Sequence, residues 1–211
     1  MIHINRLKRL AIILDSLTPP PSPKPILEQY MLSGEDAAKI LWFAGRIYDD
    51  ISGKIVLDLG CGAGILSLGA VLLGADFVVG VDVDHEALNA AFRNSLHLGF
   101  NAYSHVTYLC SDIRSLNIHG DTVIQNPPFG VQHRGADRFF LKKALESADV
   151  VYSLHKYTTS THKFLLKFIE NMGGRVVDMI NFSISIPHLF NFHHKTRHKV
   201  NVVLYRILRE K

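Results

Sequence analysis

Asn126-Pro127-Pro128-Phe129 directly follows a strand-like run, Asp121-Thr-Val-Ile-Gln125, and its residue types suit one kind of chemistry. The Asn126 amide oxygen and the Pro127 carbonyl can together accept both hydrogens of an exocyclic amine. The lone pair of such an amine is delocalised into its ring, which makes it a poor nucleophile. Two fixed acceptors stabilise the positive charge that develops as the nitrogen becomes tetrahedral, which is preorganised electrostatic catalysis. Pro127 and Pro128 remove backbone donors and stiffen the loop. Phe129 offers a face for a flipped base, a contact worth about 1–3 kcal/mol. The proton can leave after transfer, so no general base is needed early.

The electrophile opposite that amine calls for a second loop. Asp58-Leu-Gly-Cys-Gly-Ala-Gly64 follows the apolar run Lys54-Ile-Val-Leu. Gly60, Gly62 and Gly64 let the chain turn sharply and approach a ligand without a Cβ in the way. Their spacing lacks the last glycine of the dinucleotide fingerprint, which shifts the reading from NAD to S-adenosyl-L-methionine. Asp58 would face the positively charged methionyl end. Asp82 closes the next strand, where a carboxylate accepts from both ribose hydroxyls. Asp84 reads as a helix N-cap, with Ala87 and Leu88 packing inward. Asp112, after the third strand, stands where an adenine amino group would be read, with Ile113 beside the ring. The plain alternatives are a capping and turn series in an unrelated Rossmann domain and a proline-rich surface turn.

Both loops need a frame that ends strands side by side. Strands are expected at 54–57, 77–83, 105–110, 122–125 and 150–154, alternating with helices at 64–73, 85–98, 136–147 and 159–171. That alternation implies βαβ units around a parallel sheet. Residues 175–186 and 198–208 are two long strand-like runs with no helix between them, so they should pair as an antiparallel hairpin. The expected fold is α/β: a doubly wound, mostly parallel, seven-stranded Rossmann-like sheet closed by that hairpin, the plan of the class I methyltransferases. Ahead of it, residues 2–17 suggest a short amphipathic helix, and Pro19, Pro20, Pro21, Pro23 and Pro25 a stiff linker. A further helix is expected at 35–50. Residues 1–33 would pack as an extension on a catalytic domain spanning 34–211.

Composition narrows the class. At 211 residues, 47% hydrophobic and 20% charged, the chain suits one soluble domain. No apolar run approaches the roughly 18 residues of a membrane span. Arg6, Lys8 and Arg9 interrupt the apolar N-terminus and no small-residue cleavage site follows, so a cytoplasmic location is expected over a secreted one. Cys61 and Cys110 suit two cytosolic thiols better than a disulfide. The formal charge of +4 is a weak pointer to a polyanion. Of twelve histidines, His188, His193, His194 and His198 cluster with Lys195, Arg197 and Lys199 in the expected hairpin loop. Without cysteines or paired helical spacing, metal is disfavoured. A solvated loop and a phosphate-contacting RNA loop stay open, and Phe190 and Phe192 among the charges favour RNA. His155 and Lys156, after the fifth strand, would point into the same mouth.

Nearly end to end, the chain resembles the methyltransferase-like protein 5 family of ribosomal-RNA adenine-N6 methyltransferases, in an archaeal form. The similarity rests on Leu27-Glu-Gln-Tyr30, Tyr48-Asp-Asp-Ile51, Asp58-Leu-Gly-Cys-Gly-Ala-Gly64, Asn126-Pro-Pro-Phe-Gly130, Val151-Tyr-Ser-Leu-His-Lys156 and Phe192-His-His-Lys195. Asn-Pro-Pro-Phe recurs in several amino-methyltransferase families, whereas Glu-Gln-Tyr and Tyr-Ser-Leu-His-Lys are more specific. The resemblance implies methylation of small-subunit ribosomal RNA, with donor contacts from Gln29, Gly60, Ala63, Ile65, Asp82, Asp112 and Ile113. Leu32 stands where the family usually has Thr, with Ser33 as the nearest substitute hydroxyl.

The same resemblance implies a small zinc-binding activator as partner. In the methyltransferase strand order the third strand is a sheet edge, and Val106-Thr-Tyr-Leu-Cys110 lacks the charges and prolines that blunt exposed edges. The apolar turn Val71-Leu-Leu73 is expected beside it. Rival readings are a guanine-N2 methyltransferase using the same loop, a protein-glutamine N5 methyltransferase, and a non-catalytic RNA-binding ribosome-assembly factor. The glutamine reading would call for Tyr at position 129 and a helical substrate-binding N-terminal domain, and neither is present.

Overall fold

The computed structural model describes residues 4–100, 105–130, 132, 135–187 and 197–210. Seven strands form one sheet: β1 (Ile55–Leu59), β2 (Phe77–Asp82), β3 (Val106–Cys110), β4 (Thr122–Gln125), β5 (Val150–Lys156), β6 (Gly174–Pro187) and β7 (Arg197–Arg209). Their order is β3-β2-β1-β4-β5-β7-β6, which makes β3 one edge and β6 the other. β1 to β5 run parallel, and β7 pairs antiparallel with both β5 and β6. This is the doubly wound sheet with an antiparallel C-terminal hairpin read from the sequence. It places the ends of β1, β2 and β4 side by side, where the strand order reverses and ligands bind in open α/β sheets.

Among the described residues six α-helices cover the sheet: α1 (Leu7–Asp15), α2 (Gly34–Trp42), α3 (Ile65–Leu72), α4 (His85–His97), α5 (Ala136–Ser147) and α6 (Thr159–Asn171). One core joins α1, α2 and α3 to Val56, Val78, Val106, Ile124 and Tyr152, and the other joins α5 and α6 to Leu57, Val81, Val123, Val151 and Tyr205. The alternation of neighbouring strand residues between the two cores is the period of two of a strand buried on both faces. α1 presses Leu10, Ala11 and Leu14 inward. It meets α2 so closely that a Cβ on Gly34 would fall 2.2 Å from the Ala11 carbonyl oxygen.

The expected helix at 35–50 divides. After α2 it continues as one π-helical turn, Phe43–Ile47, with the Asp50 N–H bonded to the Ala44 carbonyl at 2.9 Å. That exit places Tyr48 and Asp50 on the hairpin. Asp50 Oδ2 accepts from Tyr152 Oη at 2.5 Å and Arg206 Nε at 2.9 Å, and the Arg206 guanidinium lies 4.2 Å over the Tyr48 ring. Tyr48 Oη in turn bonds Asp178 on β6. Tyr48-Asp-Asp-Ile51 is therefore the clasp between the π-helical turn and the two antiparallel strands.

One expectation needs correction here. Val71, Leu72 and Leu73 form no bare apolar turn, because α3 carries all three into the core at 3–6% exposure. Cys61 and Cys110 are free thiols, one buried and one exposed. Among the described residues no helix is long and apolar enough to cross a membrane.

Candidate active site

A cavity of about 980 Å³ opens beyond the carboxyl ends of β1, β2, β3 and β4. Its wall includes Gln29, Asp58, Gly60, Gly62, Ala63, Ile65, Asp82, Asp112, Ile113, Asn126 and Pro128, so residues read from three strand ends and two loops share one space. The volume is at the upper end for small-molecule sites, enough for a nucleoside-bearing donor beside a second base.

The glycine loop is pinned to β2. Gly60 and Cys61 donate backbone N–H groups to the Val81 carbonyl at 2.8 and 3.0 Å, and Gly62 N–H donates to Asp82 Oδ2 at 2.8 Å. Gly62 sits at φ 53°, and a Cβ there would meet no protein atom within 4 Å, so its missing side chain leaves the cavity clear. Gly60, at φ 74°, serves a different need: its Cβ would lie 2.9 Å from the Phe140 ring, which wedges in from α5.

Asp58 is 1% exposed. Its Oδ2 accepts from Ser67 N–H at 2.8 Å and Ser67 Oγ at 2.6 Å, whereas buried Oδ1 has no partner. Burial pushes this carboxyl up to about 7, with the charge of Asp82 adding to the rise against the Ser67 bonds. A buried carboxylate oxygen without a donor is costly, and a cationic ligand group at that point satisfies it. Asp82 is also raised, again chiefly by burial. Its two oxygens hold Gly62 N–H and Asp84 N–H at 2.8 and 2.9 Å and keep lone pairs for further donors. Asp112 differs. The guanidinium of Arg114 grips both its oxygens at 2.5–3.0 Å and holds its carboxyl below the usual range.

Three consecutive residues that motif reading passed over lightly organise the other wall. After a 3-10 turn at Pro25–Leu27, Glu28 adopts φ 51°, a left-handed conformation that costs a residue with a Cβ about 1–2 kcal/mol. Thus turned, its carboxylate accepts from Phe129 N–H and Gln132 N–H, each at 2.7 Å. Gln29 donates to Asp84 Oδ2 at 2.9 Å and accepts from Lys24 N–H at 2.8 Å, so the amide expected on the donor is also tying down its own segment. Tyr30 donates its hydroxyl to Asn126 Oδ1 at 2.9 Å and packs its ring 5.9 Å from Phe129. Burial holds the Tyr30 phenol far above its ordinary value, so it stays a donor and orients the Asn126 amide. One lone pair of Oδ1 stays open.

Asp84 caps α4 through Glu86 N–H at 3.1 Å, as read, and does more: its Oδ1 also takes the Lys24 ammonium at 2.6 Å. Burial alone would raise the Asp84 carboxyl, but Lys24 and Gln29 outweigh it and hold it low. Ser33 is no free hydroxyl, because its Oγ caps α2 through Asp36 N–H at 3.1 Å.

Other site expectations separate from the cavity. Pro127 is buried beneath it, and Phe129 leans on Tyr30, so the rings that line the cavity on this side are Tyr30, Phe139 and Phe140. His155 does not reach the mouth. At 2% exposure it lies inside the sheet, Nε2 2.7 Å from Ser153 Oγ, and burial lowers its imidazole to about 4. The strand period turns it inward and its neighbour Lys156 outward to solvent. His193, His194 and Lys195 lie outside the described residues; Arg197 begins β7, and Lys199 is exposed on it. The signal that could have found Glu28 and Tyr30 was the Glu-Gln-Tyr triplet itself, read as three roles instead of one.

A family model described as ribosomal protein L11 methyltransferase (PrmA) matches residues 47–127, the donor half of the sheet. The rRNA N(6)-adenosine-methyltransferase METTL5 of Danio rerio is 36% identical over 204 residues, covering 95% of this chain and 98% of its own. The uncharacterised protein MJ0284 of Methanocaldococcus jannaschii is 40% identical over 95% of this chain and 93% of its own. The crystal structure of PH1948 from Pyrococcus horikoshii, described as a candidate RNA methyltransferase, superposes with a TM-score of 0.91 at 40% identity, covering 99% and 100% of the two chains.

The Glu28 clamp has a direct consequence. Glu28→Gln keeps one acceptor and turns an N–H toward the other backbone donor. Amide exchange at Phe129 and Gln132 should rise at least tenfold, since charge-assisted bonds contribute about 1.5–3 kcal/mol. Exchange at wild-type rates would mean the loop holds itself.

Proposed function

Because the chain belongs to the METTL5 family of rRNA N(6)-adenosine-methyltransferases, we propose that it methylates the N6 amine of an adenosine in small-subunit ribosomal RNA, with S-adenosyl-L-methionine as donor. The observation that carries this reading is the polarity of this cavity. Its donor end holds buried Asp58 with an unpaired oxygen, Asp82 and Asp112, and its other end holds the Asn126 amide oxygen.

When bound, S-adenosyl-L-methionine supplies a methyl group made electrophilic by a sulfonium. Asp58 Oδ1 takes the methionyl ammonium, and the backbone N–H groups of Ala63 and Ile65, where α3 opens, receive the carboxylate, while Gly64 N–H is already bonded to the Cys61 carbonyl. Asp82 accepts from the ribose, and Asp112 with Ile113 borders the adenine. At the acceptor end, Tyr30 holds the Asn126 amide so that the free lone pair of Oδ1 meets one N6 hydrogen. As the amine pyramidalises, this bond strengthens, which stabilises the transition state more than the ground state. The strap from Lys24 to Tyr30 holds both half-sites at once, which fixes the approach of amine to methyl.

The decisive experiment is tritiated-methyl transfer to ribosomal RNA from a strain lacking the gene, with nucleoside analysis of the product. N6-methyladenosine is expected; N2-methylguanosine or no product would overturn the assignment. In the same assay Asn126→Ala should lower single-turnover transfer about 100- to 1000-fold and leave donor affinity within a few-fold. A variant keeping more than about a third of the wild-type rate would remove Asn126 from the mechanism.

Asp58 makes donor binding pH-dependent. A cation binds the ionised carboxylate, and with the carboxyl at about 7 in the free protein, a proton must leave below that pH. The dissociation constant should therefore rise roughly tenfold per pH unit as pH falls below about 7 and level off above it. Asp58→Asn should bind more weakly with a flat profile. Calorimetry that finds a flat wild-type profile would show that the cation lies elsewhere.

The proposal includes a partner, a small zinc-binding activator that adds a strand to β3. Among the described residues β3 pairs only with β2, and Leu109 on it is 40% exposed. An unblunted edge is a template for an added strand. Hydrogen exchange across 106–110 should slow when the activator is added. Unchanged exchange, with the isolated chain monodisperse and fully active, would show that β3 needs no cover.

A further inference from the structure

The face beside the cavity, made by the first turns of α5 and α6 and the end of β5, carries features that the donor and acceptor sites leave unused. Phe139 lines the cavity and is still 59% exposed. Its neighbour Arg138 turns away from the cavity and sets its guanidinium 5.6 Å over the Phe164 ring on α6. Phe164 is 48% exposed and stacks on Phe168 at 6.0 Å. Tyr157, just past β5, is exposed and braced by His162 at 5.7 Å, while His162 Nδ1 is held by Tyr205 Oη at 2.6 Å. Lys156 directly precedes Tyr157 and Lys163 directly precedes Phe164, and both lysines are exposed. Among the described residues Arg138, Lys156 and Lys163 take part in no ion pair, whereas Lys142 and Lys143 further along α5 share Glu146.

Topology puts this face next to the reaction. β4 and β5 pair with Gln125 opposite Ser153, so the Asn126 loop and the Lys156 end of β5 leave the sheet side by side. α5 begins shortly after that loop and α6 shortly after β5.

We infer that this face carries the single-stranded RNA flanking the target nucleoside, with bases stacked on Phe164 and Tyr157 and phosphates on Arg138, Lys156 and Lys163. Exposed rings separated by unpaired cations are what an unpaired polyanion requires, since every base has a π-face and every linkage a charge. A protein partner fits less well, because interface cores are depleted in lysine. A duplex would leave the rings unused, since its bases are already stacked. The braced geometry adds to the case: Phe164 is held by Arg138 and Phe168, and Tyr157 by His162, so little side-chain freedom is lost on stacking.

This inference rests on the proposed reaction, and the test separates the two. The probe is a labelled oligoadenylate of about fifteen nucleotides, long enough to cross the face, titrated between about 50 and 200 mM salt. Substituting Arg138→Gln, Lys156→Gln and Lys163→Gln together should reduce the slope of log affinity against log salt by about 2, at roughly 0.7 per lost single-strand contact. Phe164→Leu, which keeps apolar cover over Phe168 but removes the stacking face, should weaken binding about fivefold or more without changing the slope. Lys8→Gln with Arg9→Gln, across the sheet on α1, should bind like wild type. Unchanged melting temperature and donor affinity in each variant would confirm an intact fold.

If wild-type protein methylates ribosomal RNA but these variants bind oligoadenylate as it does, the inference falls and the proposed function stands. If no RNA is methylated yet binding responds as described, the surface stands and the reaction falls. A response equal to that of the α1 control would reduce the effect to net charge and overturn the inference.

Discussion

The Glu28 carboxylate, shared between the backbone N–H groups of Phe129 and Gln132, is the contact on which the acceptor wall depends. Pro127 and Pro128 contribute no N–H of their own, so the loop after β4 cannot bond itself into shape. An external acceptor has to do this, and a carboxylate gives the stronger, charge-assisted bonds. Glu28 reaches both groups only by taking a left-handed backbone conformation. The local strain persists because Gln29 and Tyr30, which follow it directly, are fastened to Asp84 and Asn126. One short segment thus joins the end of β2 to the end of β4.

The same segment separates two electrostatic regimes. On the donor side, burial raises the carboxyls of Asp58 and Asp82, so binding a cation at Asp58 relieves a cost already present in the fold, whereas Asp112 is held low by Arg114. On the acceptor side the Glu28 carboxylate is taken up by two backbone N–H groups, and the groups beside it are neutral: an amide, a phenol kept protonated by burial, and prolines. A neutral wall suits an amine that is uncharged before transfer and gains charge only during it. A carboxylate in the place of Asn126 would hold the charged form too well beforehand and lose the differential that accelerates the step.

Behind the site, rigidity comes from polar contacts set among apolar ones. Asp50 gathers Tyr152 and Arg206, and Arg206 covers Tyr48, so the antiparallel strands are locked to the π-helical turn. On the other face, Gln125 Nε2 donates to Ser153 Oγ at 2.9 Å, and Ser153 meets His155. This buried chain lies directly under Asn126 and stiffens the end of β4. The family-specific Tyr-Ser-Leu-His segment is in this light a support for the loop, and its histidine is buried with the strand.

Much of this was legible in the residues alone. Strand ends with acids, glycines at turns and the hairpin follow from short-range rules: side-chain period, glycine stereochemistry and chain direction; the edge position of β3 was read from the strand order of the class I methyltransferases. Helices α5 and α6 could be bounded to the residue because their caps and periodicity are local. What sequence reading could not supply were pairings across great chain separations. Glu28 meets Phe129 across 101 residues, Tyr30 meets Asn126 across 96, and Gln29 meets Asp84 across 55. No local propensity records such contacts. The inward turn of His155, the burial of Val71 to Leu73 and the displacement of Phe129 by Tyr30 have the same origin. Residue type and spacing determined which groups could do the chemistry; packing of both sheet faces decided which of them reach the cavity, because each buried position is set by neighbours distant in the chain.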